Sequence, residues 1–139
     1  MDYSSLANEL LEIRANLLPV PATQQLSQMV KGELFVLNYL LLHEGMIHPK
    51  ELSEKMAVST ARIANLLNHM EEKHYIERCH DTSDSRQIIV RLTEKGRESI
   101  QNTRRKVLQS VAAMLEEIGP EDAENFVRIQ KKILANSLK

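Results

Sequence analysis

Apolar residues recur at helical spacing from the start of the chain. Leu6, Leu10, Leu11, Ile13, Leu17 and Leu18 form a first run, with Ser4 or Ser5 available as N-cap and Pro19 closing it. Residues 21 to about 27 read as a connector. A second helix is predicted over about 31–43, where Leu34, Leu37, Tyr39, Leu40 and Leu41 cover much of the circumference. Such a helix is expected to be buried on more than one side. Gly45 stands where a left-handed residue past a helix end is expected.

Pro49 opens a short predicted helix over 50–56, with Leu52 and Met56 on one face. Val58-Ser59 reads as a turn, and Ser59 is a good N-cap for a helix over 60 to about 74. Its apolar stripe is Ile63, Leu66, Leu67 and Met70, while Thr60, Arg62, Asn65, Asn68, His69 and Lys73 lie elsewhere on the cylinder. Two short helices joined by a tight turn, the second amphipathic with a polar and basic outer face, predict a helix-turn-helix. The period then falls to 2. Residues 75–78 read as a strand, 80–85 as a polar loop, and 87–92 as a strand with Ile88, Val90 and Leu92 facing one way. Thr93 is the N-cap of a long helix that ends at Gly119-Pro120, and Pro120 opens a last one through Phe126, Ile129, Ile133 and Leu134.

The 139 residues, 42% of them hydrophobic, fit one domain with a core. Four Gly, four Pro and no Trp agree with a mainly α protein carrying one small β-hairpin. The first helix and the last two are separated by the whole compact unit, yet each keeps an apolar stripe. Pairing with a second copy covers them most economically. The formal net charge is −1, so a nucleic-acid binder is not advertised by overall basicity. Residues 1–49 carry two basic and five acidic groups, 50–96 eight of each, and 97–139 eight basic and six acidic, so there is no polybasic tail.

The start has no basic leader before an apolar run, and the longest apolar stretch, around 34–42, is broken by Asn38 and too short to cross a bilayer. A single cysteine, Cys79, suits a reducing compartment. A cytoplasmic protein without membrane association is expected.

The segment from Val58-Ser59-Thr60-Ala61-Arg62 through Asn68-His69-Met70-Glu71, followed by Tyr75-Ile76-Glu77-Arg78, resembles the recognition helix and first wing strand of the MarR family of regulators. Asp84-Ser85-Arg86-Gln87-Ile88-Ile89-Val90-Arg91-Leu92-Thr93-Glu94-Lys95-Gly96 is similar to that family's wing, an Asp-x-Arg before a strand ending in Leu-Thr-x-x-Gly. The resemblance covers the chain in element order and about 49–96 in motif detail. It implies one domain over 1–139: a winged helix-turn-helix lobe over about 30–96, flanked by dimerisation helices over 1–18 and 97–139. It also implies a homodimeric regulator that reads a pseudo-palindrome in double-stranded DNA, commonly as a repressor responsive to a small-molecule effector. Three positions depart from the pattern. His74 stands where the family usually has Gly, Asn65 and His69 stand where Arg is frequent, and Ser85 replaces a frequently basic wing-tip residue.

Base reading needs paired donors and acceptors at base edges. Arg62 suits guanine, Asn65 adenine, and Thr60 with Ala61 a thymine methyl, against the alternative of a merely solvated face. Ser59, His69, Lys73 and Arg78, with Lys50 and Lys55, are candidates for phosphate contacts, which position without reading sequence. Two readings of Arg86 stand: a brace paired with Asp84 or another carboxylate, or insertion into a narrow minor groove. The effector cleft implied by the family would be lined by Leu37, Tyr39, Leu41 and His43 on one side and Arg104 and Leu108 on the other, with Arg104 or Arg105 meeting an anion.

Other chemistry finds little support in the pattern. Cys79 has no second cysteine with which to act as a redox pair. His43, Glu44, His48, His74 and His80 show no recognised ligand spacing, so neither metal nor cofactor is expected. No nucleophile–base pair, phosphate-cradling Gly loop or carboxylate pair is legible, and an enzyme is not expected. The alternative to a DNA regulator is a winged-helix module that binds protein through its near-neutral recognition face.

Overall fold

The computed structural model describes residues 1–43, 45–84 and 86–138. The expectations placed on Glu44 and Ser85 lie outside these. Among the described residues the chain forms seven helices and one hairpin: α1 Tyr3–Leu17, α2 Pro21–Met29, α3 Gly32–Leu42, α4 Pro49–Met56, α5 Thr60–Glu72, β1 Ile76–His80, β2 Ile88–Leu92, α6 Glu94–Ile118 and α7 Pro120–Ser137. They divide into two compact units, one of residues 1–24 and 106–139, the other of residues 25–105.

The helical unit contains α1 and α7, neither of which has a buried residue. The α1 cap is Asp2, not Ser4 or Ser5: its carboxylate accepts from the Ser5 backbone N–H at 3.1 Å. Residues 21–27 are helical instead of a connector. Pro21 supplies the fixed φ of a first helical turn, and Ala22 and Met29 share a buried face. The polar run Thr23-Gln24-Gln25 between them hid that period.

The second unit holds the predicted helix-turn-helix and wing. Its core takes Val36, Leu37 and Leu40 from α3, Leu52 from α4, Ile63, Leu67 and Met70 from α5, Ile76, Ile89 and Val90 from the hairpin, and Ile100 from α6. As expected, α3 is apolar all round. It ends at His43 in extended backbone, and Gly45, with φ 118°, lies beyond that cap. The turn between α4 and α5 bends at Ala57 in the left-handed region (φ 55°, ψ 45°). Buried Ser53 holds it by donating its hydroxyl to the Val58 carbonyl at 3.1 Å.

α5 starts as predicted, the Ser59 hydroxyl accepting from the Arg62 N–H at 3.1 Å. It ends two residues short of the expected boundary. Tyr75 N–H reaches the Met70 carbonyl and His74 N–H the Glu71 carbonyl, both at 3.0 Å, with His74 at φ 65°. This is the double-bonded helix ending that normally recruits Gly, and His74 fills it.

β1 and β2 pair antiparallel, with Ile76 opposite Leu92 and His80 opposite Ile88. Ile88, Val90 and Leu92 share one face of the strand as expected, but burial does not follow that set. Ile88 is 41% exposed, while Ile89 and Val90 are both buried. Both faces of β2 are covered at its centre, so burial does not alternate there; Val90 also donates its N–H to the Ile47 carbonyl at 2.8 Å, so Ile47 lies along β2 as a rudimentary third strand.

The Leu-Thr-x-x-Gly junction has a steric cause. Thr93 caps α6, its hydroxyl accepting from the Gly96 N–H at 3.0 Å, and its own N–H binds the Tyr75 carbonyl at 3.1 Å. A Cβ on Gly96 would lie 2.0 Å from that same carbonyl oxygen. Only Gly lets α6 pass this close to the end of α5.

Candidate nucleic-acid interface

α5 turns Ile63, Leu67 and Met70 inward, and the 3.6-residue period leaves Thr60, Ala61, Arg62, Asn65 and His69 exposed. Arg62, Asn65 and His69 follow one another at i, i+3 and i+7, so they line a single ridge. Arg62 has no carboxylate partner among the described residues. The His69 ring lies 3.8 Å from Glu72, on a fully solvated edge. Ser59 is committed to its cap.

Two expected phosphate contacts are tied up within the unit. Lys73 Nζ lies 3.1 Å from both carboxylate oxygens of Glu33 on α3. The Arg78 guanidinium donates to both Glu71 oxygens, at 3.2 and 3.0 Å, and to Asn68 Oδ1 at 2.7 Å. That fork holds the Glu71 carboxyl below its ordinary range and pushes the Arg78 guanidinium up. Arg78 thus fastens the wing strand to α5, which moves it from the phosphate candidates to the braces.

At the wing, Asp84 Oδ1 accepts from the Arg86 backbone N–H at 3.1 Å and sits 3.4 Å from its Nε. Arg86 is nevertheless 90% exposed, and a contact this open contributes little rigidity. Both readings of Arg86 are compatible with that geometry. The carboxylate that organises the loop is one the sequence pattern did not single out. Asp81, 7% exposed, accepts from the Ser83 N–H at 2.8 Å and the Ser83 hydroxyl at 2.7 Å, and these bonds lower its pKa. His48 Nε2 lies 3.6 Å away. An Asp-x-Ser turn was a readable signal; its link to His48, 33 positions upstream, was not.

The residues assigned to an effector cleft are placed differently. Leu37 is 2% exposed and belongs to the core, because a helix apolar on every side gives no hint of which face is open. The Tyr39 hydroxyl donates to Glu51 on α4, and that hydrogen bond to a carboxylate raises its pKa to about 12. His43 stacks on the Tyr39 ring, centroids 4.0 Å apart, and Phe35 continues the stack. Leu41 is half-buried. Arg104 donates to Asn38 Oδ1 at 2.6 Å. Leu108, 57% exposed, falls in the helical unit. A hollow of about 230 Å³ in the second unit shares only His43 with that set, and Arg91 and Arg97 are among its lining residues.

Cys79 is half-buried in β1, opposite Ile89. Among the described residues no three His, Cys, Asp or Glu side chains converge as a metal site, and no helix is long and apolar enough to cross a membrane.

This architecture is a winged helix-turn-helix with additional helices at both ends. The family model described as transcriptional regulator SarA/Rot matches residues 23–103. The chain belongs to that family of transcriptional regulators. It is 26% identical to the uncharacterised HTH-type transcriptional regulator YwhA of Bacillus subtilis (strain 168), over 96% of the chain and 99% of that protein. Several other curated relatives are matched over only about half of their length. Among solved structures, a MarR family protein from Bacillus stearothermophilus superposes with a TM-score of 0.76 at 27% identity, covering 100% of this chain and 99% of that one. Streptococcus pneumoniae FabT in complex with DNA gives a TM-score of 0.70 at 20% identity, over 99% of this chain and 100% of that one, a likeness of fold. The MarR-type fold read from residues 58–96 is borne out.

Proposed function

We propose that the chain regulates transcription as a homodimer that reads a pseudo-palindromic duplex, α5 entering the major groove and the wing reaching the flanking groove. The observation that carries this is the ridge of Arg62, Asn65 and His69, exposed on a helix whose two ends are both fixed by hydrogen bonds. Ala61 lies beside it and Thr60 is exposed at the same N-terminal turn on another face, and Arg86 supplies the wing contact. The similarity to a fold solved on DNA supports the reading. Two relatives, YetL and MdtR, are named repressors, which favours repression.

A second copy is the partner that α1 and α7 call for. Leu6, Leu10, Leu11 and Ile13 are 49–70% exposed, as are Ile133 and Leu134 at 55% and 60%. Exposed apolar surface of this extent marks an interface. In this reading residues 25–105 form the DNA-binding lobe and the terminal helices the dimer contact. A small-molecule effector would act by changing the spacing of the lobes. The chain works in the cytoplasm and catalyses nothing.

Selection from a random duplex library tests this. Enriched sites should be two-fold symmetric, with half-sites about 10 base pairs apart, and binding should fall steeply with salt. Failure to retain any duplex at low salt overturns the DNA reading in favour of a protein-binding module.

A further inference from the structure

The N-cap of α4 is occupied by a residue that does not cap. Ser, Thr, Asp or Asn at such a position accepts a backbone N–H and contributes about 1 kcal/mol to the helix. His48 sits there in extended backbone with no side-chain cap bond. Its ring is turned instead to the wing. Nδ1 lies 2.8 Å from the Ile88 carbonyl oxygen, the first residue of β2. Nε2 lies 3.6 Å from Asp81 Oδ2, at the root of the loop that carries Arg86. One imidazole therefore touches both ends of the wing loop from the start of the first helix of the helix-turn-helix.

We infer that His48 is a positioning residue for DNA recognition, locking the root of the wing to α4 so that Arg86 is held at a fixed reach from the α5 ridge. This rests on the DNA-binding reading above. The remaining ties explain why it is needed. Arg78 fastens β1, the opposite strand, to α5. The Ile47–Val90 bridge holds β2 two residues further from the loop than Ile88. Neither reaches the Asp81–Gln87 turn, where Asp81 N–H bonds the Gln87 carbonyl at 2.9 Å and closes the loop on itself. Among the described residues His48 is the side chain outside the hairpin with a polar pairing to this closure. Its recruitment here, at the expense of a local cap, is what a tertiary rather than a helix-forming role predicts.

The test uses the full chain on a duplex recovered by selection, with affinity by fluorescence anisotropy and contact length by hydroxyl-radical footprinting. His48→Thr restores a capping side chain and removes the wing link. Its urea midpoint should hold or rise, while affinity falls about fivefold, the equivalent of one ordinary hydrogen bond, and protection is lost in the flanks but kept in the centre. Arg86→Ala should show the same flank loss, and adding it to His48→Thr should cost little more. His48→Gln, which keeps an amide donor of similar reach, should recover part of the affinity and guards against a Thr variant that folds poorly. Unchanged affinity and flank protection in both His48 variants, losses that simply add to those of Arg86→Ala, or an Arg86→Ala without effect would each overturn the inference. Failure of the wild-type chain to bind any duplex is a different result, and it removes the DNA reading itself.

Discussion

Gly96→Ala separates local helix propensity from tertiary geometry, because the two predict opposite signs. In an exposed helix the change would gain about 1 kcal/mol. Here the new Cβ would stand 2.0 Å from the Tyr75 carbonyl oxygen and 2.9 Å from its carbon, a full ångström inside the 3.0 Å that real Cβ atoms keep from the oxygen. The obstacle is backbone, so no rotamer change relieves it. That carbonyl is also held: it accepts the Thr93 N–H at 3.1 Å, and Tyr75 completes the ending of α5. Either the α6 start or the α5–β1 corner must move. Overpacking of this kind costs about 1–3 kcal/mol, and weakening the Thr93–Tyr75 bond adds about 1. Against the propensity gain, a net destabilisation of about 1–3 kcal/mol is expected. With a urea slope of about 1.5 kcal/mol/M, followed by far-UV circular dichroism, the midpoint should drop by about 0.7–2 M. A midpoint that holds or rises would refute the claim that this junction is set by steric contact.

Other outcomes follow from the same geometry. Arg62→Ala, which removes an exposed side chain without a protein carboxylate partner, should cost about 1–3 kcal/mol in duplex affinity and relax preference at one base position, with no change in unfolding. Ser59→Ala should lower stability by about 1 kcal/mol through the lost cap on α5, read as a shifted unfolding midpoint. Lys73→Ala should cost little duplex affinity, because Glu33 already holds the amine, whereas Glu33→Gln should strengthen all duplexes alike by freeing the Lys73 charge; an unchanged salt slope in Glu33→Gln would remove Lys73 from the interface. Asp81 and Glu71 have folded pKa values below their unfolded ones, so their contributions are present above the ordinary carboxylate range and are lost as pH falls through the folded values. Stability should therefore decline below about pH 4, and Asp81→Asn should flatten that decline in acid unfolding titrations.

What could be read in advance was whatever depends on near neighbours in the chain. The stripe Ile63, Leu67, Met70, the Ser59 and Thr93 caps, and the Pro at the start of α4 and α7 each act within a turn or two, and each is where the pattern put it. Long-range pairings were not legible, and they decide the roles of the charged residues. Lys73 and Arg78 look alike as exposed cations on a recognition face until Glu33 and Glu71 are seen beside them. Ile89 looks outward by the alternating pattern, yet it is 1% exposed. Leu37 looks like cleft lining because α3 is apolar on every side and its period carries no direction. The consequence bears on specificity. α5 itself carries Arg62 as its one Lys or Arg, and Lys73 just past its end and Arg78 on β1 are drawn into braces, so affinity leans on Arg62, on the wing, and on the two-fold repetition that a dimer provides. A recognition helix with a single Arg and no Lys gains most from holding its wing in place, which is why the ties at Gly96, Arg78 and His48 matter more here than the charge count.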